Sequence, residues 1–193
     1  KSRYYYYYLN DLWFFDLTKE KWVQIFPNSK IPKSRRNHSA VIYNNSMWVY
    51  GGIPISSNNE QFWEYSILEN KWKQVKTIGN PGIINSHSAC IWNDNMILYG
   101  ITENGNIFSM FSFKTMTWKN LIKDYYPPRT QHVALIFNNI MYVIGGKEFQ
   151  NQYYPGEYSE TLAFDLELFQ WKKLNLKTQL PIRHSCTGVL VGN

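Results

Sequence analysis

Tryptophan recurs at Trp22, Trp72, Trp118 and Trp171, at intervals of 50, 46 and 53 residues, and behind each comes the same block of sequence. The blocks read "RRNHSAVIYNNSMWVYGG", "INSHSACIWNDNMILYGI", "RTQHVALIFNNIMYVIGG" and the shortened "RHSCTGVLVGN". Aligned on them, His38, His87, His132 and Cys186 share a column, as do Met47, Met96 and Met141, and Gly51, Gly100 and Gly145. A period of this size means a repeat architecture, in which one unit cannot bury its own apolar face and must stack on its neighbours. No other feature constrains the fold as tightly.

Each unit reads as four short strands. The first is an apolar run (Ala40–Tyr43 in the first full unit), the pattern of a strand buried on both faces. A polar turn, Asn44-Asn45-Ser46, leads to a second apolar strand that ends in Gly-Gly. Asn and Gly suit these places because they tolerate positive φ. The third strand alternates, with Trp13, Phe15 and Leu17 on the side expected to face inward and Phe14 and Asp16 on the other; Trp63, Tyr65 and Ile67 repeat it. A turn such as Glu69-Asn70-Lys71 leads to the fourth strand, which opens with the recurrent Trp.

Four antiparallel strands in roughly 50 residues make one blade of a β-propeller. The Gly-Gly doublet, the "NDLWFFDL" strand, the spaced Trp and the Arg-x-x-His ahead of the first strand resemble the kelch-repeat family over essentially the whole chain. The expected fold is all-β: a kelch propeller segment of three full blades at 38–86, 87–131 and 132–185. It is preceded by the end of another blade (1–37) and followed by the first strand of a fifth (186–193). The alternative is a closed four-bladed ring, in which Thr187–Val191 pairs through Tyr4–Tyr8 with the first strand of the chain. This chain departs from the pattern at Ile101, Ile84 and Cys186, where the second glycine, the arginine and the histidine would stand.

Composition agrees with the strand reading. Aromatic residues make up 18% of the 193, whereas alanine occurs only four times. Asn, Ile, Lys and Tyr are abundant and all have AT-rich codons, so a run such as Tyr4–Tyr8 is weak evidence by itself. No apolar stretch approaches the roughly 20 residues of a membrane helix. Two cysteines, Cys90 and Cys186, fit neither a disulfide framework nor a CxxC metal pattern. A cytoplasmic protein without membrane contact is expected.

A residue repeated once per blade serves the blade, whereas catalysis needs unlike residues converging on one site. His38, His87 and His132 are therefore expected to hydrogen-bond loop backbone where the first strand begins. The same logic gives structural roles to Trp22, Trp72, Trp118 and Trp171 and to Gly51, Gly52, Gly145 and Gly146. His184 lies outside the column and is expected exposed. Cys186 reads as a small buried filler at a strand start. Arg35, Arg129 and Arg183 form a further column. By the kelch resemblance it lies near the mouth of the central channel, where an arginine would hold an acidic ligand in addition to its structural role. No phosphate loop, carboxylate dyad or nucleophile motif occurs, so no catalytic residue, metal or cofactor is expected.

Charge points to one face. In an antiparallel four-stranded blade, the fourth-to-first and second-to-third connections lie on the same side. The segments Val23–Asn37, Lys73–Ser86, Lys119–Gln131 and Lys172–Ser185 hold 13 Lys/Arg and one acid, against 7 basic and 13 acidic residues elsewhere. Lys30, Lys33, Arg35 and Arg36 crowd one loop. Tyr125 and Tyr126 sit near Arg129, and Tyr153 and Tyr154 occupy a long second-to-third loop. Tyrosine interleaved with cations is an interface composition. The leading expectation is a protein-interaction module that binds an acidic or phosphorylated partner through this face. The alternative is a recruiting domain of a larger enzyme, such as a kelch-type phosphatase or a ubiquitin-ligase adaptor. Nucleic-acid binding is the weakest reading, because the chain carries no recognised nucleic-acid fold. A galactose-oxidase-like metalloenzyme is more remote still, since no copper-ligand set can be named.

Overall fold

The computed structural model describes residues 8–53, 60–102, 105–121, 129–148 and 156–191. Among these residues, fourteen strands fill three four-stranded sheets and one two-stranded sheet, all antiparallel and each built from consecutive strands. The two-stranded sheet is β1 (Leu12–Asp16) with β2 (Lys21–Ile25). The first full blade runs β3 (Ser39–Tyr43), β4 (Ser46–Tyr50), β5 (Phe62–Ser66) and β6 (Lys71–Gln74). The second runs β7 (Ser88–Trp92), β8 (Asn95–Thr102), β9 (Gly105–Ser112) and β10 (Thr117–Asn120). The third runs β11 (Val133–Phe137), β12 (Ile140–Ile144), β13 (Thr161–Asp165) and β14 (Gln170–Lys172).

The register explains the repeat columns. Each recurrent Trp lies directly opposite an aromatic of the third strand: Phe15↔Trp22, Tyr65↔Trp72, Phe111↔Trp118 and Phe164↔Trp171. The ring centroids are 5.3, 5.1, 4.9 and 5.0 Å apart. Such cross-strand aromatic pairs contribute about 0.2–1 kcal/mol each and fix which residues face each other. The first hairpin of a blade turns on two residues with positive φ, Asn44 and Asn45 or Asn138 and Asn139, so Ser46 already belongs to its strand.

Burial corrects two expectations. The second strand, not the first, is the deepest. Ile97, Leu98, Tyr99 and Met96 of β8 are at most 1% exposed, whereas β3, β7 and β11 are mostly half-buried. A second strand has a ladder on each edge and a neighbouring blade on each face, while a first strand has a ladder on one edge only. The alternation of β8 divides it between two cores. Met96 and Leu98 pack toward Trp48, Tyr50 and Phe62 of the blade before, and Ile97 and Tyr99 toward Met141, Val143 and Phe164 of the blade after. The third strand is likewise buried from both sides in the full blades, Phe62 as well as Trp63 and Tyr65, while Ile67 is exposed. In β1 the expected inward side is open: Phe15 is 42% exposed, although Phe111 and Phe164 in the same column are 0% and 2%. Among the described residues, β1 and β2 pair only with each other.

The C-terminal expectation also changes. Thr187–Val191 forms no strand and no ladder with β1 or β2. Among the described residues no sheet closes on another, and the architecture is that of a propeller segment built of successive blades. Tyr4 to Tyr7, named for closing a four-bladed ring, lie outside the described residues.

Two of the linkers between blades also close an open edge. Ile78 bridges Thr117 in parallel, with its N–H on Met116 O at 3.0 Å and its carbonyl taking the Trp118 N–H at 2.9 Å. Ser29 does the same one blade earlier, accepting the Trp72 N–H on its hydroxyl at 2.7 Å. An outermost strand would otherwise present unpaired backbone groups to other chains.

Candidate interaction face

The face that carries the fourth-to-first loops is organised by a belt of backbone hydrogen bonds. Ser86 N–H donates to Asn37 O, Gln131 N–H to Ser86 O, and Ser185 N–H to Gln131 O, each at 2.9 Å. All four residues adopt φ between 54° and 57°, one position before the His/Cys column. The belt steps once per blade and ties the entry of each first strand to that of the next.

Immediately beneath lie the histidines. His87 Nε2 meets the Ser39 hydroxyl at 2.7 Å, and His132 Nε2 meets the Ser88 hydroxyl at 2.8 Å. These bonds run from one blade to the side chain at the head of the preceding blade's first strand, while His132 also meets the backbone of Arg129 in the loop before it. Burial pushes both imidazoles down to about 3, with neighbouring histidine or Arg129 charge adding to it. They are neutral near pH 7. His38 is lowered too, first by burial and then by Arg35. A signal for these bonds exists in the sequence. Where the histidine gives way to Cys186, the serine of the blade before gives way to Val133. His184, by contrast, is exposed and within 3.2 Å of Glu157.

The arginine column corrects the ligand reading. Arg129 is 0% exposed, and its Nη1 donates to Gly145 O at 3.0 Å while its Nη2 meets Glu160 Oε1 at 2.6 Å. Tyr158 stacks on its guanidinium at 4.2 Å. Arg35 repeats the pattern, donating to Gly51 O and Glu60 O at 2.9 Å each. Gly51, Gly52, Gly145 and Gly146 all have φ between 63° and 98°, and there the chain leaves the ladder. Leaving the ladder strands carbonyls, and the arginine fork satisfies them. The blade without the arginine has no doublet either: with Ile101 after Gly100, the β8–β9 ladder runs on to Thr102↔Gly105. Arg129 is thus withdrawn as a partner contact, and Arg35 is a blade-building residue first. Arg183 is half-buried, and its carbonyl accepts the Gly146 N–H at 2.8 Å.

Exposed cations remain. Lys30 lies over the Trp63 ring at 6.0 Å, Lys33 pairs with Glu60 at 3.1 Å while its own side chain is 59% exposed, and Arg36 lies over the Tyr8 ring at 5.2 Å. Lys76, Lys173 and Lys177 are exposed on the equivalent linkers. Tyr125, Tyr126, Tyr153 and Tyr154 lie outside the described residues. Cys90 is held by burial well above the usual thiol range, at about 12, and its Sγ donates to Ala134 O at 3.3 Å. Cys186 is half-buried and begins no strand. Among the described residues no group of His, Cys, Asp and Glu gathers to hold a metal ion.

One feature of this face has no counterpart among the sequence candidates. A cleft of about 550 Å³ opens between the first two full blades, lined by Tyr50, Gln61, Phe62, Lys76, Asn80 and Trp118 among others. Gln61 has neither the histidine nor the arginine signature, and its column (Asp11, Gln61, Ile107, Glu160) becomes visible only once the register is known.

Residues 3–146 match the family described as the KLHDC2/KLHL20/DRC7 Kelch-repeats domain. The chain is 26% identical over 152 residues to the leucine-zipper-like transcriptional regulator 1 homolog of Drosophila melanogaster, covering 71% of this chain and 16% of that protein. It is 30% identical over 99 residues to human Kelch domain-containing protein 3, covering 50% of this chain and 26% of that protein. It is 24% identical over 153 residues to mouse leucine-zipper-like transcriptional regulator 1, where it covers 18% of that protein. The chain thus spans no more than about a quarter of the length of the relatives it matches. With the blade register, the glycine doublets and the recurrent Trp pairs in place, the chain belongs to the kelch-repeat family, whose domains generally serve as protein–protein interaction modules.

Proposed function

We propose that this propeller segment captures an acidic or phosphorylated segment of a partner protein on the face that carries its fourth-to-first loops. The observation that carries the reading is the charge division: 13 Lys/Arg and one acid in the four segments from each recurrent Trp to the next His/Cys column, against 7 and 13 elsewhere, an excess that outlasts the discount for Lys73, Lys119 and Lys172 on strands and for buried Arg129. Lys30, Arg36, Lys76, Lys173 and Lys177 hold part of that charge at exposed positions. Positive potential spread over a rim raises the rate of encounter with an anionic partner and disfavours cationic ones. The arginines that cap the glycine doublets contribute to the field without touching the partner.

The test is retention of the chain on immobilised phosphoserine and phosphothreonine peptides and on an unphosphorylated acidic peptide. Lys30→Glu, Arg36→Glu and Lys76→Glu together are expected to weaken retention by roughly tenfold or more, and added salt to mimic part of that loss. Equal retention of wild type and triple variant refutes the proposal.

A second reading is favoured by the coverage of the relatives, which the chain spans only in small part. On it, this segment recruits substrates for a larger protein such as a kelch-type phosphatase or a ubiquitin-ligase adaptor. Both readings use the same face.

A further inference from the structure

We propose that the cleft between the first two full blades binds a primary carboxamide, the side chain of an asparagine or glutamine of the partner protein, with Gln61 as its recognition group. The inference rests on the reading of this face as a partner surface and names one contact on it.

Gln61 is 2% exposed and lines the cleft, and neither Nε2 nor Oε1 has a hydrogen-bond partner among the described residues. A buried amide with both ends unpaired is costly, and folded proteins seldom keep one without a use. The repeat supplies the control. At the same register position, Glu160 binds Arg129 at 2.6 Å, Asp11 accepts the Trp13 indole N–H at 2.6 Å, and Ile107 is apolar and 5% exposed. Every other blade fills this position with a satisfied or an apolar side chain. Arg35 stands beside Gln61 yet donates to the backbone carbonyls of Gly51, Glu60 and Gln61, and not to the carboxamide. His87, His132 and Arg129 also keep one buried nitrogen unpaired, but each is bonded through another atom, so that among the described residues Gln61 alone of these has every side-chain polar atom unpaired.

The remaining walls suit a flat, neutral polar group. Trp118 stands 5.2 Å from the Tyr50 ring and 5.8 Å from the Phe62 ring, and its position is fixed by the backbone bonds to Ile78. The Tyr50 hydroxyl is tied to Asn80 Oδ1 at 3.0 Å, which closes one side. A volume of about 550 Å³ is within the usual range for ligand sites, roughly 300–1,000 Å³. Gln61 offers two N–H donors and one carbonyl acceptor side by side. A second carboxamide offers the same set in reverse: its oxygen accepts from Nε2 while its N–H donates to Oε1. A carboxylate would satisfy Nε2 but set a negative oxygen against Oε1 in a buried site, which is unfavourable. Lys76 is exposed, where water already solvates it.

The test is a 15N NMR titration of the full chain with N-acetyl-glutamine methylamide. N-acetyl-norleucine methylamide, N-acetyl-glutamate methylamide and adenosine serve as controls. Saturable shifts of the Gln61 side-chain NH2 and the Trp118 indole N–H, produced by the glutamine probe alone and lost in Gln61→Met, support the site. Gln61→Met is also expected to raise Tm by about 2–4 °C, because it removes an unpaired buried amide without opening a cavity. Three results overturn the proposal: no saturable shift with the glutamine probe, equal shifts with any control, or a lower Tm for Gln61→Met, which would make Gln61 a structural residue. The titration needs no partner protein, so its failure leaves the charge-reversal result standing, and the reverse also holds.

Discussion

The arginine column offers the sharpest test of how these blades are built. If Arg129 acts by capping the carbonyls stranded at Gly145-Gly146, its removal should be costly while removal of its ion-pair partner should not. Arg129→Met deletes the bond to Gly145 O at 3.0 Å, a hydrogen bond from a charged donor of the kind that contributes about 1.5–3 kcal/mol. The Glu160 carbonyl at 3.4 Å lies at the limit of hydrogen bonding and counts for little. Stacking on Tyr158 at 4.2 Å adds on the order of 1–2 kcal/mol in this dry setting. The Glu160 side chain is 47% exposed, so its ion pair is discounted for solvent to about 0–1 kcal/mol. Relief of the buried charge offsets part of the loss, leaving a net cost near 3 kcal/mol, or a fall in Tm of roughly 6–12 °C. Glu160→Gln should then cost less than about 1 kcal/mol. Urea unfolding followed by circular dichroism reads both variants. Equal costs for Arg129→Met and Glu160→Gln would show that the ion pair and not the carbonyl cap stabilises the blade, and would refute the capping role of Arg129.

Two further outcomes follow from the same geometry. His87 and His132 are held neutral with folded values of about 3 against about 6.5 unfolded, so the unfolded chain binds more protons between those limits. Stability should fall by a few kcal/mol as pH drops from 6.5 toward 3, and His132→Gln should flatten that slope in urea titrations; an unchanged slope would refute it. At Gly51, φ is +69° and a Cβ would collide with the Ile84 carbonyl and come within 2.8 Å of His87 Cε1. Gly51→Ala should therefore cost about 3 kcal/mol or more, while Gly105→Ala, with nothing within 4 Å of its Cβ, should cost only the backbone term of about 1–2 kcal/mol. Thermal melts of the two variants compare them directly.

Much of the blade was legible in the chain because its determinants are local. Asn44-Asn45 sets a two-residue turn, Gly51-Gly52 sets the exit from the ladder, and the Trp period places the fourth strand. Departures were legible as well, but not their meaning. Ile84 and Ile101 read as separate exceptions, although they are one change: without the doublet the ladder continues, no carbonyl is stranded, and no arginine is needed. The partners of His87 and His132 were missed because Ser39 and Ser88 lie 48 and 44 residues away, on the neighbouring blade. Gln61 was missed because nothing in its local sequence distinguishes it; its significance lies in lacking, among the described residues, the partner that its polar counterparts Asp11 and Glu160 have.

The sequence by itself determined a repeat of four-stranded antiparallel blades, the column that each residue occupies, and the sign of the charge on one set of loops. These follow from backbone sterics, side-chain alternation and composition, which are properties of short segments. Only the tertiary structure decided which cations are consumed by the fold and which stay exposed, and that Arg129 is sealed inside its blade. It also decided that a cleft lies between two blades, with an amide that has no hydrogen-bond partner among the described residues. Burial and hydrogen-bond satisfaction depend on what the neighbouring blade places against a side chain, and that information lies some fifty residues away along the chain.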